Sequence, residues 1–408
     1  MGESKVKPKT KAKTKTKAIA KKSTTTPKES KSNSAIDDIR IGLLRKFGTN
    51  AIIKGSDMEK ARYGRVSTSS ISLDLAIGGG VPVGRLIQVA GAKSTGKSTI
   101  AGHILKNCQN LTVNWVWTER KEEKGREVVT EYVKTQKGLV CAYLDVEGTM
   151  TPEWAKNSIG IDINNWLYSQ PSGLEEALEM AHQMQKDGVH LIVIDSIEAL
   201  EPTKEYISEI GETIQMGIKP KTIGEYCRKY TATNNGLARK GKLPCTVILI
   251  NQLREKIGAY GDNEYTPGGR SIEFYASLDL RLRRADWISI GTGDNKEIIG
   301  WTVKFKSNKN KTYKQQQSGE FDFYFDEGGR VEPGNVDNFK EIVVEGIAWG
   351  VVDRAGAWFK YKGENLAQGA DNTIAYLAEN LDVFEEIKKE LFDIIKKEEE
   401  KFVKGEEK

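Results

Sequence analysis

No apolar run in the sequence is long enough to cross a bilayer. The longest apolar stretches are short segments such as LIVIDSIEAL and VILI, where a spanning helix needs about 20 consecutive apolar residues. Cysteine is scarce: Cys108, Cys141, Cys227 and Cys245 lie far apart with no Cys-x-x-Cys pair. That excludes a disulfide framework and a zinc ribbon, and the thiols read as buried groups in a reducing compartment. Three histidines are too few to support a metal site. No apolar run and cleavage-like segment follow the basic N-terminus, so it does not read as a secretory signal, and a cytoplasmic location with no membrane partner is expected.

The chain has 408 residues, enough for a sizeable core with one or two smaller attachments. Its net charge of +5 hides an asymmetry. Residues 1–34 hold eleven lysines against Glu3 and Glu29, a surplus of nine, which leaves the remaining chain at −4. A Lys, Thr, Ser and Pro segment so poor in large apolar residues cannot offset its ordering entropy and is expected to be disordered. Its charge suits a loose hold on nucleic acid through counterion release, with a solubilising tail as the alternative.

Residues 35–66 follow as a helix and linker. Ile36, Ile39, Leu43, Leu44 and Phe47 share a broad helical face, with Ile41 outside it, so the helix can pack on its own domain or on a neighbouring subunit. The main domain is expected over 67–332. GRLIQVA reads as a strand, a glycine-rich turn follows, and STIAGHILKNC continues as a helix; LVCAYLDVE, VHLIVIDS and CTVILINQ are further strands between helical patterns such as LEEALEMAHQMQ. That alternation predicts an α/β core with a largely parallel central sheet. Residues 111–137 are long and charged for a helix-to-strand connection and predict an exposed insertion, a hairpin or a short helix. A small C-terminal domain is expected over 333–395, its last helix carrying Phe384, Ile387, Leu391, Ile394 and Ile395 on one face. Residues 396–408 form a mixed glutamate and lysine tail that needs no function beyond solubility.

Gly91-Ala92-Lys93-Ser94-Thr95-Gly96-Lys97-Ser98 fits the G-x-x-x-x-G-K-[ST] phosphate loop without a mismatch, and Thr99 follows it into the helix. The glycines let backbone amides turn inward around phosphate, and the following helix points its positive end at the same charge. Lys97 is expected along the β and γ phosphates of ATP, and the Ser98 hydroxyl on Mg2+. Asp195 closes the strand LIVIDS, where an acid can orient the magnesium. Glu147, at the end of AYLDVE, can polarise the attacking water, with Asp145 as the alternative base. Gln252, after a third strand, is placed to sense the γ-phosphate or is an ordinary surface glutamine. Trp154 lies against the adenine ring or belongs to the core.

Together these segments resemble the bacterial and phage RecA recombinase family over about residues 36–395. The resemblance rests on SISLDLAIGGGVPVGRLIQVAGAKSTGKST, YLDVEGTMTPEWAKNSIGIDINNWLYSQPSGLEEALE, LIVIDSIEAL, ILINQLREKIG, PGGRSIEFYASLDLRLRR and RAGAWFKYKGENLAQG, six landmarks in order. It implies a RecA-type phosphate-loop core and a DNA-dependent ATPase that forms a helical filament on single-stranded DNA, pairs it with homologous duplex and promotes strand exchange. Single-strand-binding and loading proteins are further partners it implies, and the cytoplasm of an infected host is the location if the gene is a phage's. In this light Glu147 is the catalytic glutamate, Gln252 the allosteric glutamine and Trp154 the aromatic beside adenine.

The resemblance also makes EIGETIQMG, residues 209–217, a first DNA-binding loop with Met216 and Gly217. A second lies across 253–267 and leads into Gly268, Gly269 and Arg270. Lys221, Arg228, Arg254 and Lys256 supply positive charge there, and Met216 and Ile257 match apolar wedges between stretched base groups. Arg283, Arg284, Lys304 and Lys306 match the basic surface that holds the incoming duplex, Phe274 the aromatic that couples subunits, and Lys309 and Lys311 the lysines that reach a neighbour's ATP.

Several positions depart from the family pattern. Glu273 and Asp279 stand where lysine and arginine are usual, and Arg281 where an acid is. Thr151 replaces an aspartate that recognises the adenine amine, and the 111–137 insertion and lysine-rich tail are additions. A swapped ion pair would keep attraction while changing partner preference. The rival readings are a ring-forming helicase or motor ATPase and a non-catalytic nucleic-acid-binding recombination mediator.

Overall fold

The computed structural model describes residues 19–21, 34–55, 63–206, 217–255 and 264–404. Most of the basic tail, Met216, Lys256 and Ile257 lie outside the described residues. The chain divides into two compact units, one of residues 63–111, 138–238 and 242–408, the other of residues 1–62, 112–137 and 239–241.

In the larger unit eight strands form one sheet. They are β1 (Leu86–Gly91), β2 (Cys141–Asp145), β3 (Trp166–Ser169), β4 (Leu191–Asp195), β5 (Thr246–Gln252), β6 (Leu278–Ile290), β7 (Glu297–Asn310) and β8 (Ser318–Tyr324). Their order is β8-β7-β6-β1-β5-β4-β2-β3. The six from β6 to β3 run parallel, and β7 and β8 extend one side antiparallel. β1, β2 and β4 are buried along their whole length, which is why they read as near-continuous apolar runs and not as alternating ones. Helices α1 (Lys97–Asn110), α2 (Leu174–Asp187) and α3 (Ile218–Arg239) connect strands of the sheet. Leu174, Ala177, Leu178 and Ala181 of α2 pack with Ile223, Tyr226 and Tyr230 of α3 and the strand residues Ile192, Ile194, Val247 and Leu249 in one core.

The C-terminal part of this unit holds α4 (Asn338–Ala348), a sheet of β9 (Val352–Ala355), β10 (Trp358–Tyr361) and β11 (Glu364–Gln368), then α5 (Ala370–Glu379) and α6 (Leu381–Lys404). Phe384, Ile387, Leu391 and Ile395 of α6 are buried against Phe359 and Leu377, and the same cluster includes Ile71, Leu75 and Tyr313 from the first part of the unit. The helix does not stop at 395 as the sequence implied. It runs to Lys404 because Glu398 pairs with Lys314 at 3.1 Å and Glu399 with Arg65 at 2.8 Å, so part of the charged run is anchored and not merely solvated.

In the smaller unit the 112–137 segment is a hairpin of two twelve-residue strands, Thr112–Glu123 and Arg126–Lys137. Its turn uses Lys124 and Gly125 at φ 53° and 79°, the left-handed pair that a two-residue hairpin turn favours. The helix Ser34–Phe47 is tied to it by ion pairs from Arg40 to Glu127 and Arg45 to Glu122. Of its expected apolar face only Leu44 is fully buried, while Ile36, Ile39 and Phe47 are 59, 63 and 61 % exposed. The face is therefore largely uncovered by the described residues. Ile19–Lys21 pairs antiparallel with Glu131–Val133, an exception inside the segment expected to lack structure.

Candidate functional site

The phosphate loop leaves the sheet at the end of β1. A Cβ on Gly91 would sit 2.5 Å from the Leu282 carbonyl oxygen and 2.6 Å from Thr95 Oγ1, so only glycine fits there. Ser94 and Gly96 take left-handed φ of 58° and 86°, which turns the chain into α1. Ala92, Lys93 and Ser94 are exposed at the crest, Thr95 and Lys97 are buried, and Ser98 and Thr99 are half-buried. The Lys97 ammonium donates to the Ala92 carbonyl at 2.6 Å. Burial lowers its pKa, opposed by the charges of Asp195 and Glu147.

The acids come from neighbouring strand ends. Asp195, 4 % exposed, accepts the Ser98 hydroxyl at Oδ2 at 2.5 Å and the Tyr143 hydroxyl at the same oxygen at 2.6 Å. Burial raises its pKa while those two bonds lower it. Asp145 is also buried, and its Oδ1 accepts the Gly148 amide while Oδ2 accepts the Met150 amide and the Tyr168 hydroxyl. Three donors therefore occupy Asp145, which holds the turn after β2. Glu147 is exposed on that turn and accepts the Ser196 hydroxyl at 2.8 Å and the Gln252 amide at 3.3 Å on Oε1. Of the two acids the sequence left open as a base, Glu147 is the accessible one.

Gln252 ends β5 opposite Gly91 in the strand register. The next backbone amide, Leu253, donates to the Gly91 carbonyl at 3.1 Å, and the Asn251 side-chain amide donates to the Pro267 carbonyl at 2.9 Å, so both ends of the 253–267 segment are fixed beside the phosphate loop. Trp154 is half-buried, and its amide is capped by Thr151 Oγ1 at 3.1 Å. Ser196, Tyr143, Tyr168 and Asn251 were not singled out in the sequence. Nothing in their spacing marks them, because each acts through a partner distant along the chain.

The DNA-side residues divide. Gly217 stands before α3 at φ 95°, and Lys221 and Arg228 are exposed on that helix. Gly268 and Gly269 turn tightly against it: a Cβ on Gly268 would meet Ile223 at 3.0 Å, and one on Gly269 would meet Pro220 at 2.9 Å. Arg270 is exposed and Arg254 is paired with Glu198. On the antiparallel strands Arg283 lies opposite Lys304, and Arg281 opposite Lys306. Directly opposed residues share a face, so these four form one basic patch. Arg284 does not join it. It lies opposite buried Val303 on the other face, with its guanidinium 4.2 Å above the Trp287 ring.

Phe274 is 70 % exposed. The Lys309 and Lys311 ammonium groups donate to its carbonyl at 3.1 and 3.0 Å, and burial lowers the Lys309 pKa. Asp279, the departure from arginine, is buried and accepts Gln88 at 2.8 Å and Asn308 at 3.0 Å, with Arg281 3.8 Å away. The exchanged charges thus face each other within one chain. Among the described residues no helix is long and apolar enough to cross a membrane.

A phosphate loop at the end of a central parallel strand, with Lys97 and the strand-end acids Asp195 and Glu147 gathered beside it, defines an α/β nucleotide-binding protein of the phosphate-loop class. The RecA N-terminal domain family matches residues 33–123 and 121–330, two segments that meet inside the hairpin, and the RecA C-terminal domain family matches residues 340–396. The chain is 34% identical to "Protein RecA" of Clostridium acetobutylicum over 366 residues, 89% of this chain and 92% of that protein. It is 36% identical to "Protein RecA" of Nostoc punctiforme over 347 residues, 85% and 84% of the two chains. With "Protein RecA" of Synechococcus elongatus the identity is 35% over 374 residues, 91% and 92% of the two. The chain belongs to the RecA recombinase family, and nucleotide binding goes with that membership.

Proposed function

We propose that this protein hydrolyses ATP in a DNA-dependent manner, assembles as a helical filament on single-stranded DNA and exchanges strands with homologous duplex. The observation that carries this reading is Gln252, which joins Glu147 to the start of the 253–267 segment while its neighbour Leu253 bonds the phosphate loop. Contact with the γ-phosphate at Gln252 would shift that segment, and DNA held there would in turn reposition Glu147. Glu147 orients and deprotonates the attacking water. Lys97 stabilises charge on the transferred phosphoryl group, and Trp154 stands beside the base.

Ser98 and Asp195 would hold Mg2+. A serine hydroxyl and a carboxylate hydrogen-bonded to each other at the phosphate loop are hard oxygen donors of the kind that ion takes, usually one or two from the protein together with phosphates and water. The ion would supply neutralisation of phosphate charge. The patch of Arg283, Lys304 and Lys306, with Arg281, is the surface for the incoming duplex. Base pairing and not side chains selects homology. Exposed Phe274, with Lys309 and Lys311 beside it, is the contact to a neighbouring subunit, and single-strand-binding or loading proteins act on the filament in the cytoplasm.

The test is the steady-state ATP hydrolysis rate with and without long single-stranded DNA, with Lys97→Ala as control, followed by a homologous strand-exchange assay. A strong DNA-dependent rise that the control loses supports the coupled recombinase; equal rates would point to a different ATPase. Removing residues 1–34 tests the tail, whose part in duplex capture requires a shallower salt dependence without it.

A further inference from the structure

We propose that Tyr143 is a positioning residue for the magnesium site, its phenol fixing the Asp195 carboxylate so that the acid keeps one orientation when Ser98 turns to the cation. The inference rests on the metal site proposed above. Tyr143 lies on β2 opposite Val193 of β4 and is fully buried, with its ring centroid 6.0 Å from that of Trp166. Its hydroxyl donates to Asp195 Oδ2 at 2.6 Å, the oxygen that also takes the Ser98 hydroxyl at 2.5 Å.

The two donors are not equivalent. Ser98 belongs to the phosphate loop, and its oxygen lone pairs must turn to a metal when one binds, so its bond to Asp195 has to re-form in a new geometry. Tyr143 is held by a buried ring on a central strand and has no such freedom. A carboxylate rotates easily about its last torsion, and a single hydroxyl that itself reorients cannot fix it. The second donor, anchored on another strand, can.

Phenylalanine would fill the same space at Tyr143. The hydroxyl therefore contributes a hydrogen bond more than packing, and burying a phenol is costly without such a partner. Outer-sphere partners of this kind orient metal ligands, and their loss commonly weakens metal binding by roughly ten- to a hundredfold.

The experiment uses the full chain. Binding of a fluorescent ADP analogue is titrated with MgCl2 for wild type, Tyr143→Phe, Asp195→Asn and the double variant, alongside binding in EDTA and the melting temperature without nucleotide. The half-saturating Mg2+ concentration of Tyr143→Phe is expected to rise about tenfold, with affinity in EDTA and the melting temperature little changed, and the substitution should add nothing in the Asp195→Asn background. An unchanged Mg2+ requirement, or an equal loss with and without metal, overturns the proposal and reduces Tyr143 to packing. So does a full effect in the Asp195→Asn background, because Tyr143 would then act elsewhere. Wild-type binding that ignores Mg2+ would sink the metal-site reading itself, and this proposal with it.

Discussion

The side-chain amide of Gln252 donates to Glu147 Oε1 at 3.3 Å, sharing that oxygen with the Ser196 hydroxyl at 2.8 Å. Ser196 follows Asp195 on the strand beside β5, so the exposed acid is held by two neighbouring strand ends at once. A charged group fixed in this way is ready to orient water without first being ordered. The Gln252 bond is the one that a change in the 253–267 segment can make or break.

Gln252→Ala is therefore expected to lower the ratio of hydrolysis rates with and without single-stranded DNA toward one. Glu147→Gln should reduce kcat by about 10²- to 10⁴-fold, the usual contribution of a general base, with nucleotide affinity within a few fold of wild type. Both are read by steady-state turnover. Full DNA stimulation in Gln252→Ala would detach that residue from the coupling.

Asp145 is expected to matter through geometry. Its two oxygens take three donors, and an asparagine would present an N–H to one of them whichever way it turned. Asp145→Asn should cost about 1–3 kcal/mol of stability, as expected where a buried donor loses its acceptor. It should also lower kcat more than it raises KM, because Glu147 lies between Asp145 and the two amides that Asp145 holds. Urea unfolding and steady-state kinetics measure the two effects. A stability loss with normal kcat would mean that the turn does not position Glu147.

The phosphate loop, the strand-end acids and the parallel core were legible because each is a local pattern: a glycine spacing, an apolar run, an acid where the run stops. What the sequence left open depended on contacts distant in the chain. The residues alone left Asp145 open beside Glu147 and the resemblance chose between them; the Met150, Gly148 and Tyr168 donors that occupy Asp145 supply the physical reason. Arg283 and Arg284 read as a pair but lie on opposite faces, as neighbours on a strand must, and the register shift between Arg284 and Trp287 is invisible in composition. The end of α6 was misplaced at 395 because Lys and Glu there look solvated, whereas their partners Lys314 and Arg65 are far back in the chain.

Asp74 gives a pH-dependent prediction. It is buried, accepting the Thr68 amide at 2.7 Å and the Thr68 and Ser67 hydroxyls at 2.7 and 2.5 Å. Burial nevertheless raises its pKa from 3.8 to about 6. The native state then holds this proton more tightly than the unfolded chain does, so the stabilising contribution is complete below about pH 4 and is lost as pH rises through about 6. Asp74→Asn has no such titration. Between pH 3 and 7 the unfolding free energy of wild type relative to Asp74→Asn should fall by about 3 kcal/mol. A difference that stays flat across this range would show that Asp74 remains ionised in the native protein.

The last prediction separates anchoring from solvation at the C-terminal end of α6. Arg65 is nearly buried, and its guanidinium donates to the carbonyls of Ile77, Gly80 and Thr312 at 3.1, 3.0 and 3.0 Å as well as to Glu399 at 2.9 Å. Glu399 supplies a carboxylate in that arrangement, so Glu399→Ala withdraws negative charge from a poorly solvated cation. A loss of about 1–3 kcal/mol is expected, with Glu399→Gln falling in between because it keeps an acceptor. The neighbouring Lys314–Glu398 pair is more open to water, and Glu398→Ala should cost under about 1 kcal/mol. Unfolding curves for the three variants at low and high salt distinguish the cases, since screening weakens only the exposed pair appreciably. If Glu399→Ala proves as neutral as a surface change, Arg65 does not depend on that carboxylate and the last turns of α6 are free to leave.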